Sequence, residues 1–321
     1  MDRGHAILKV LADGHFHSGE TLAKSLGVTR AAVWKKVHAL EKLGLSVFRV
    51  PGKGYRLADP LQLLDAELIS AALKPATRGQ LKRVTVLDVV DSTNTWLSGQ
   101  GEEPAVCFAE FQSAGRGRRG RAWVSPFGAN LYMSLSWRFD EWPPGFTALG
   151  MVTAIAAVRA LDSLGLHDVR IKWPNDLIAA GRKLGGVLID IQGEPPGATR
   201  AVIGLGLNVR MPSQSAEQID QPWMDLATLS EGMPPERNAL AAALIESLVG
   251  ALRDFESQGF AAFGDDWKRL DLVAGHAVAL HSHDHTVTGV AAGVDEQGAL
   301  LLRTPQGLKR FVSGDLSLRM T

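Results

Sequence analysis

The spacing of apolar side chains over the first sixty residues predicts three short helices and a hairpin. Ile7, Leu8 and Leu11 share one helical face, and Gly14 supplies a stop. Ser18 is placed to cap a second helix that carries Leu22, Ala23 and Leu26 and ends at Gly27. Thr29 caps a third. Its Val33, Val37 and Leu40 recur at i, i+4 and i+7 and face inward, leaving Arg30, Ala31, Trp34, Lys35 and His38 outside. After Gly44 the apolar segment Leu45 to Val50 meets the turn Pro51-Gly52-Lys53-Gly54 and returns as Tyr55-Arg56-Leu57, a hairpin with a basic tip. Helix, turn, helix and basic hairpin in this order form a winged helix-turn-helix. The third helix would enter the major groove and Lys53 would reach toward phosphate or the minor groove. A small helical interaction module with solvated charges fits the same pattern, and Trp34 suits either base contact or packing against a neighbouring domain.

A Pro/Gln/Leu segment from Asp59 to Leu63 reads as a linker. Beyond it, strands are predicted at Val84 to Val90, Ala105 to Phe111, Leu131 to Trp137, Val169 to Trp173, Gly186 to Ile191 and Ala201 to Val209. Helices fit Thr147 to Leu164 and Arg237 to Gln258. Several connections are too short for crossover helices, so the sheet should be largely antiparallel. From Asp271 onward only short strands remain, with turns at Gly275, Gly298, Gly307 and Gly314, the pattern of a small SH3-like β-barrel. The expected class is α+β and multidomain: a winged helix over residues 1–62, a mixed α/β domain over 63–270 and the barrel over 271–321.

Composition refines this picture at three points. Lys and Arg total 34 and Asp and Glu 34, but residues 1–58 hold ten basic side chains against four acidic ones. That local excess supplies nonspecific attraction to phosphate and leaves the rest of the chain mildly acidic. Cys107 is the single cysteine and sits in the apolar run Ala105-Val106-Cys107-Phe108-Ala109, which reads as a small buried hydrophobe rather than disulfide or zinc chemistry. No apolar stretch follows a basic N-terminus, and the helix near Thr147 contains Arg159 and Asp162, so neither a secretory signal nor a membrane span is expected. Cytoplasm is the default.

The densest chemistry lies in Gly115-Arg116-Gly117-Arg118-Arg119-Gly120-Arg121, followed by Ala122-Trp123. Glycines let backbone N–H groups approach an anion, and guanidinium groups clamp phosphate oxygens. Lying between core strands, the run suits a phosphate-binding lid, mobile when empty; an isolated basic heptamer also suits nucleic acid. A second cluster is Lys172-Trp173-Pro174-Asn175-Asp176, ending a strand in a polar turn, with Arg182-Lys183-Leu184-Gly185-Gly186 opening the next. Lys183 there either reaches a ligand on the sheet or protects a strand edge. Asp91-Ser92-Thr93-Asn94 ends a strand where a helix can begin, and Gly204-Leu205-Gly206-Leu207-Asn208 places glycines inside a strand. Ser92, Thr93 and Gln112 are neutral hydrogen-bonding groups suited to a polar, uncharged ligand such as a urea. His281-Ser282-His283-Asp284-His285 has a zinc-like spacing, but no further ligand is evident and a solvated strand face fits better, so no metal site is assigned.

Taken in order, Ser92-Thr93-Asn94, the run Gly115 to Arg121 with Trp123, Lys172 to Asp176, Arg182 to Gly186 and Gly204 to Asn208 resemble the biotin–protein ligases, including the bacterial type that also represses the biotin operon. The resemblance spans essentially the whole chain. It implies a biotin–[acetyl-CoA-carboxylase] ligase that uses ATP and Mg²⁺, forms biotinyl-5′-AMP, and transfers biotin to a lysine of a biotin carboxyl carrier protein. It also implies operator DNA as a partner and a homodimer favoured by the adenylate, with no membrane partner. By the same resemblance Lys183 and Arg118 are catalytic. Ser92, Thr93, Asn94, Gln112, Gly115, Arg116, Gly117, Gly186 and Gly204 surround biotin together with them. Arg119, Arg121, Trp123, Asn175, Asp176, Gly206, Asn208 and Trp223 take the adenylate side. Thr29, Arg30, Ala31, Trp34, Lys35 and Lys53 face DNA. The substrates bring their own nucleophiles, consistent with the lack of a convincing triad. A ligand-sensing repressor without activity and a lipoate ligase are the rivals; Lys183 together with the full arginine loop weighs against the first, and the winged helix against the second.

Overall fold

The computed structural model describes residues 3–101, 103–193, 197–281, 286–312 and 317–320. Helices α1 (Arg3–Leu11), α2 (Gly19–Leu26) and α3 (Arg30–Lys42) precede a hairpin of β1 (Val47–Val50) and β2 (Gly54–Leu57). The caps lie where the sequence puts them: Ser18 Oγ accepts from Thr21 N, Thr29 Oγ1 accepts from Ala32 N, and Gly27 closes α2 at a φ of 60°. Val33, Val37 and Leu40 are buried with Ile7, Leu11 and Leu22. Gly54 must be glycine, because a β-carbon there would run into the His17 backbone, to which Tyr55 is paired.

The central region adds α4 (Ala66–Ala72), α5 (Pro75–Gln80), β3 (Arg83–Val90), α6 (Thr93–Ser98), β4 (Ala105–Gln112), β5 (Leu131–Phe139) and α7 (Leu149–Ser163). It continues through β6 (Val169–Lys172), β7 (Asp176–Ala179), β8 (Arg182–Gln192), β9 (Thr199–Leu207), α8 (Ser213–Ala216), α9 (Leu226–Leu229), α10 (Arg237–Gln258) and α11 (Gly264–Leu270). Seven strands form one sheet in the order β3-β4-β5-β9-β8-β7-β6, antiparallel except for β3 with β4. Two details differ from expectation. The polar turn at Lys172 to Asp176 is a tight hairpin, with Lys172 paired to Asp176 and a further strand, β7, beyond it. The helix expected from Thr147 opens as a 3₁₀ turn at Phe146–Ala148 before α7 begins.

Strand alternation divides the sheet into two faces. Leu131, Met133, Leu135, Ala201, Ile203 and Leu205 join the main core with α7 and α10. The other face carries Tyr132, Ser134, Ser136, Val202, Gly204 and Gly206 and is covered in part by α6. That half-covered face holds the site. The apolar stretch Phe146–Ser163 is long enough to cross a membrane but is largely buried within this core. Cys107 is fully buried, and burial pushes its thiol up to about 12.

The segment read as a linker is fastened on both sides. Leu61 N donates to Ala12 O, Arg237 Nη1 donates to Gln62 O over 2.6 Å, and Leu64 N donates to Glu110 Oε1 over 2.5 Å. The anchor is an ion pair between Arg237 and Glu110 at 2.8 Å, with side chains only 3% and 0% exposed. Beyond it, β10 (Ala277–His281), β11 (Thr286–Val294), β12 (Leu300–Thr304), β13 (Gly307–Phe311) and β14 (Ser317–Met320) form an antiparallel sheet in the order β13-β12-β11-β10-β14. Gly275, Gly298 and Gly307 adopt positive φ at its turns, whereas Gly314 lies outside the described residues. Its Val278, Leu280, Ala291, Leu302 and Leu318 merge with the central core. Of the histidine-rich stretch, His281 bonds Thr286 Oγ1 through Nδ1 at 2.8 Å, while residues 282–285 lie outside the described residues.

An ion pair this deep should reveal itself when broken. Arg237→Met leaves Glu110 buried without its partner and should cost about 3–5 kcal/mol, read as a lower urea midpoint. The double variant Glu110→Met/Arg237→Met should recover part of that loss. A single-variant loss below about 1 kcal/mol, the value of an exposed pair, would contradict the assignment.

Candidate active site

A cavity of about 620 Å³ opens on the half-covered face of the sheet. Its floor is set by cross-strand rows: Gly186–Gly206–Tyr132, and beside it Leu188–Gly204–Ser134. These rows are two residues apart along each strand, about 7 Å. The glycines are there because side chains from above come down onto the sheet. A β-carbon at Gly206 would lie 2.5 Å from Trp123 Cε2, and one at Gly204 would collide with Asn94 Oδ1.

One end is neutral. Thr93 N donates to Gln112 Oε1 at 2.9 Å, and Gln112 Nε2 donates to Ser125 Oγ at 3.1 Å. Ser134 Oγ lies 2.7 Å from Thr93 Oγ1 and 2.6 Å from Asn94 Oδ1. Ser92, Thr93 and Asn94 are buried at the start of α6, so this donor and acceptor set is held rigidly.

The other end is cationic. Arg118, Arg119, Arg121, Lys172, Lys183 and Arg319 all line it. Lys183 Nζ pairs with Asp176 Oδ1 at 2.7 Å and lies over the Trp123 ring. Arg118 Nη1 donates to Asn175 Oδ1 at 3.1 Å, and Asn175 Nδ2 is fixed on Val187 O. Burial, and then the nearby charges of Lys183, Arg319 and Arg121, hold Lys172 below the ordinary lysine range against the opposing pull of Asp176. An anion lodged among these groups would relieve that repulsion. Trp123 Nε1 is buried without a protein partner, leaving a donor for a ligand.

The arginine loop forms a small lobe over this cavity. Gly117 N donates to Arg121 O, Trp123 N donates to Gly115 O, and Arg119 adopts a left-handed φ of 59°. Of the residues anticipated from sequence, Ser92, Thr93, Asn94, Gln112, Arg116, Gly117, Arg118, Arg119, Arg121, Trp123, Asn175, Asp176, Lys183, Gly186, Gly204 and Gly206 line one cavity. Gly115, Asn208 and Trp223 do not line it. Gly115 is packed under Trp123 O and Ser125. Asn208 Nδ2 donates to Met224 O and Lys183 O, while Trp223 bridges to Lys183 and borders a smaller hollow beside Arg182. These two secure the backbone of Lys183 from behind. Arg319 was missed, because nothing in the sequence marks a lone arginine on β14 as reaching a site nearly two hundred residues upstream in places. Lys172, the first residue of the Lys172 to Asp176 motif, also lines the cavity, which its place at a strand end does not foretell.

On the winged helix, Thr29, Arg30, Ala31, Trp34, Lys35 and Lys53 are all exposed. Trp34 is 51% exposed and stacks on His38 with ring centroids 5.6 Å apart. The tip carries Lys53 and Arg56 against the ring of Phe16.

Comparisons with known proteins agree with this layout. Residues 86–208 match the biotin/lipoate A/B protein ligase family, residues 3–56 an HTH domain, and residues 274–319 the biotin protein ligase C-terminal domain. The chain is 44% identical to the bifunctional ligase/repressor BirA of Salmonella typhimurium and 43% identical to that of Escherichia coli, each match covering 98% of this chain and 96% of the relative. The solved biotin protein ligase from Aquifex aeolicus, in complex with biotin and ATP, superposes with a TM-score of 0.65 at 26% identity, covering 75% of this chain and all of that one. Fold, cavity and comparisons converge: the chain belongs to the bifunctional ligase/repressor branch of the biotin/lipoate A/B protein ligase family.

Proposed function

We propose that this protein is an ATP-dependent biotin–protein ligase that also represses transcription through its winged helix. The observation that carries the catalytic half is the single cavity whose neutral and cationic ends meet across the Gly204 and Gly206 rows. A ureido ring suits the Ser92, Thr93, Asn94 and Gln112 end, and its carboxylate tail then points toward Lys183. ATP fits the cationic end, with Trp123, Asn175, Asp176 and Gly206 on the adenylate side. In the first step the biotin carboxylate attacks the α-phosphate, giving biotinyl-5′-AMP and pyrophosphate. In the second, the ε-amine of a lysine on a biotin carboxyl carrier protein attacks the mixed anhydride and releases AMP. Lys183 and Arg118 stabilise charge developing on the phosphoryl oxygens. The arginine loop excludes water from the anhydride.

Mg²⁺ fits as a companion of the nucleotide rather than a resident of the protein. No cluster of three ligating side chains occurs among the described residues, and Asp176 offers one carboxylate beside the phosphate end. Operator DNA would take α3 in the major groove, with Thr29, Arg30, Ala31, Trp34 and Lys35 facing it and Lys53 on the flanking phosphates. A two-fold operator calls for a homodimer, which the adenylate favours if it binds the dimer better than the monomer. The domains follow residues 1–62, 63–270 and 271–321, the last an SH3-like barrel, and ATP as substrate places the work in the cytoplasm.

The deciding experiment is incorporation of labelled biotin into a biotin carboxyl carrier domain with ATP and Mg²⁺. Wild type should transfer label, and Lys183→Ala should fall by about a hundredfold or more, the scale of a lost oxyanion donor. A well-folded wild type that transfers nothing would leave a sensing repressor instead. Gly206→Ala should displace Trp123 and raise the KM for ATP by about tenfold, given a cost of about 1–3 kcal/mol for an overpacked methyl. An unchanged KM would remove Trp123 from the adenylate side. On DNA, Lys53→Ala should reduce the slope of log affinity against log salt by about 0.9, one phosphate contact, in a fluorescence anisotropy titration. An unaltered slope would show that the wing tip does not touch the backbone.

A further inference from the structure

The arginine loop is closed at both ends by one continuous set of hydrogen bonds, and an acidic residue outside the proposed ligand contacts orients that set. Arg116 Nη2 donates to Asp190 Oδ2 over 2.8 Å, and the same oxygen accepts from Asn94 Nδ2 at 3.1 Å. A carboxylate only accepts, so Asp190 turns the Asn94 amide nitrogen toward itself and its carbonyl oxygen toward Ser134. Ser134 must then donate to Asn94 Oδ1, at 2.6 Å. With its one proton committed, Ser134 accepts from Thr93 at 2.7 Å. Thr93 Oγ1 also lies 3.2 Å from Gln112 Oε1; with its one proton given to Ser134, Gln112 Oε1 keeps the Thr93 amide as its donor, at 2.9 Å, and a second lone pair for a ligand. Gln112 Nε2 donates to Ser125 Oγ, which donates to Trp123 O at 2.9 Å, returning to the far root of the loop. Asp190 sits two residues beyond Leu188 on β8, on the same face as Gly186.

We propose that Asp190 is a positioning residue that latches the arginine loop through Arg116 and sets the head pocket to accept hydrogen bonds from ureido N–H groups. This rests on the ligase reading above and adds to it a link between head recognition and lid closure. The side chains of Arg116 and Asp190 are 48% and 30% exposed, so salt reaches the latch.

The test uses the full chain loaded with labelled biotinyl-5′-AMP formed in place, chased with unlabelled biotin, at low and high NaCl. Asp190→Ala should speed escape of the adenylate by about fivefold, the upper end for an exposed ion pair, and should raise the KM for biotin more than that for ATP. High salt should speed escape from wild type and leave Asp190→Ala unmoved. Asp190→Glu should restore most of the retention, and Arg116→Ala should reproduce the faster escape, with Asp190→Ala adding little to it in the double variant. Escape and biotin KM equal to wild type in both Asp190→Ala and Arg116→Ala, or effects that simply add, would overturn the latch alone. A wild type that forms no biotinyl-5′-AMP would overturn the ligase reading and the latch together.

Discussion

A carboxylate and a guanidinium withdrawn almost wholly from water set the frame on which the rest of this molecule is built. Burying two charges is expensive, and a pair like Glu110 with Arg237 is weak evidence of net stability, so what matters is what its atoms hold in place. That hold is extensive. Arg237 begins α10, Glu110 lies on β4, and between them they hold the backbone of Gln62, Leu64 and Asn130. Asn130 Oδ1 in turn accepts from Val209 N, next to the Asn208 whose amide secures Lys183 and Met224. A short route of hydrogen bonds therefore runs from the junction with the winged helix to the lysine at the centre of the cavity. Apart from the Arg237–Glu110 pair itself, every partner in it is a backbone group or a buried amide, so it has little freedom to drift.

On that frame, the site is assembled by omission as much as by placement. Gly186, Gly204 and Gly206 leave the sheet bare in adjoining rows, and Asn94, Trp123 and Lys183 descend into the space. Neutral groups gather over one row and cations over the next. The arrangement separates neutral hydrogen-bonding groups from cationic ones by about 7 Å, two residues of strand. Nothing in this division requires a protein nucleophile.

Much of this was legible in the sequence because it is local. Helix caps at Ser18 and Thr29, the inward stripe Val33, Val37 and Leu40, and the alternating glycines of β9 each follow from a short spacing rule, and the structure keeps them. What escaped depends on long-range pairing. Glu110 in an otherwise apolar strand was a visible anomaly, but its partner lies 127 residues away. Arg319 reaches the cavity from the C-terminal sheet with no motif around it. Asp190 was within reach, since counting by twos from Gly186 puts it on the site face. Asp59 to Leu63 looked like a tether because its composition is that of one; its backbone is consumed by contacts that only the assembled fold provides.

Phe127, four residues past Trp123, is buried in the hydrophobic cluster of the winged helix, with the partly buried Leu61, Leu63 and Phe111 packed against it. The segment that leaves the cavity after Trp123 thus passes into the core of the winged helix. The two functions share solvent-excluded surface and cannot be cleanly separated with a cut at the apparent boundary. A ligase shorn of its first 62 residues would present aromatic and aliphatic side chains to water just beyond the arginine loop. Loss of the regulatory module would therefore have to be accompanied by resurfacing at Phe111 and Phe127, which sets a molecular cost on simplifying such a protein to a ligase alone.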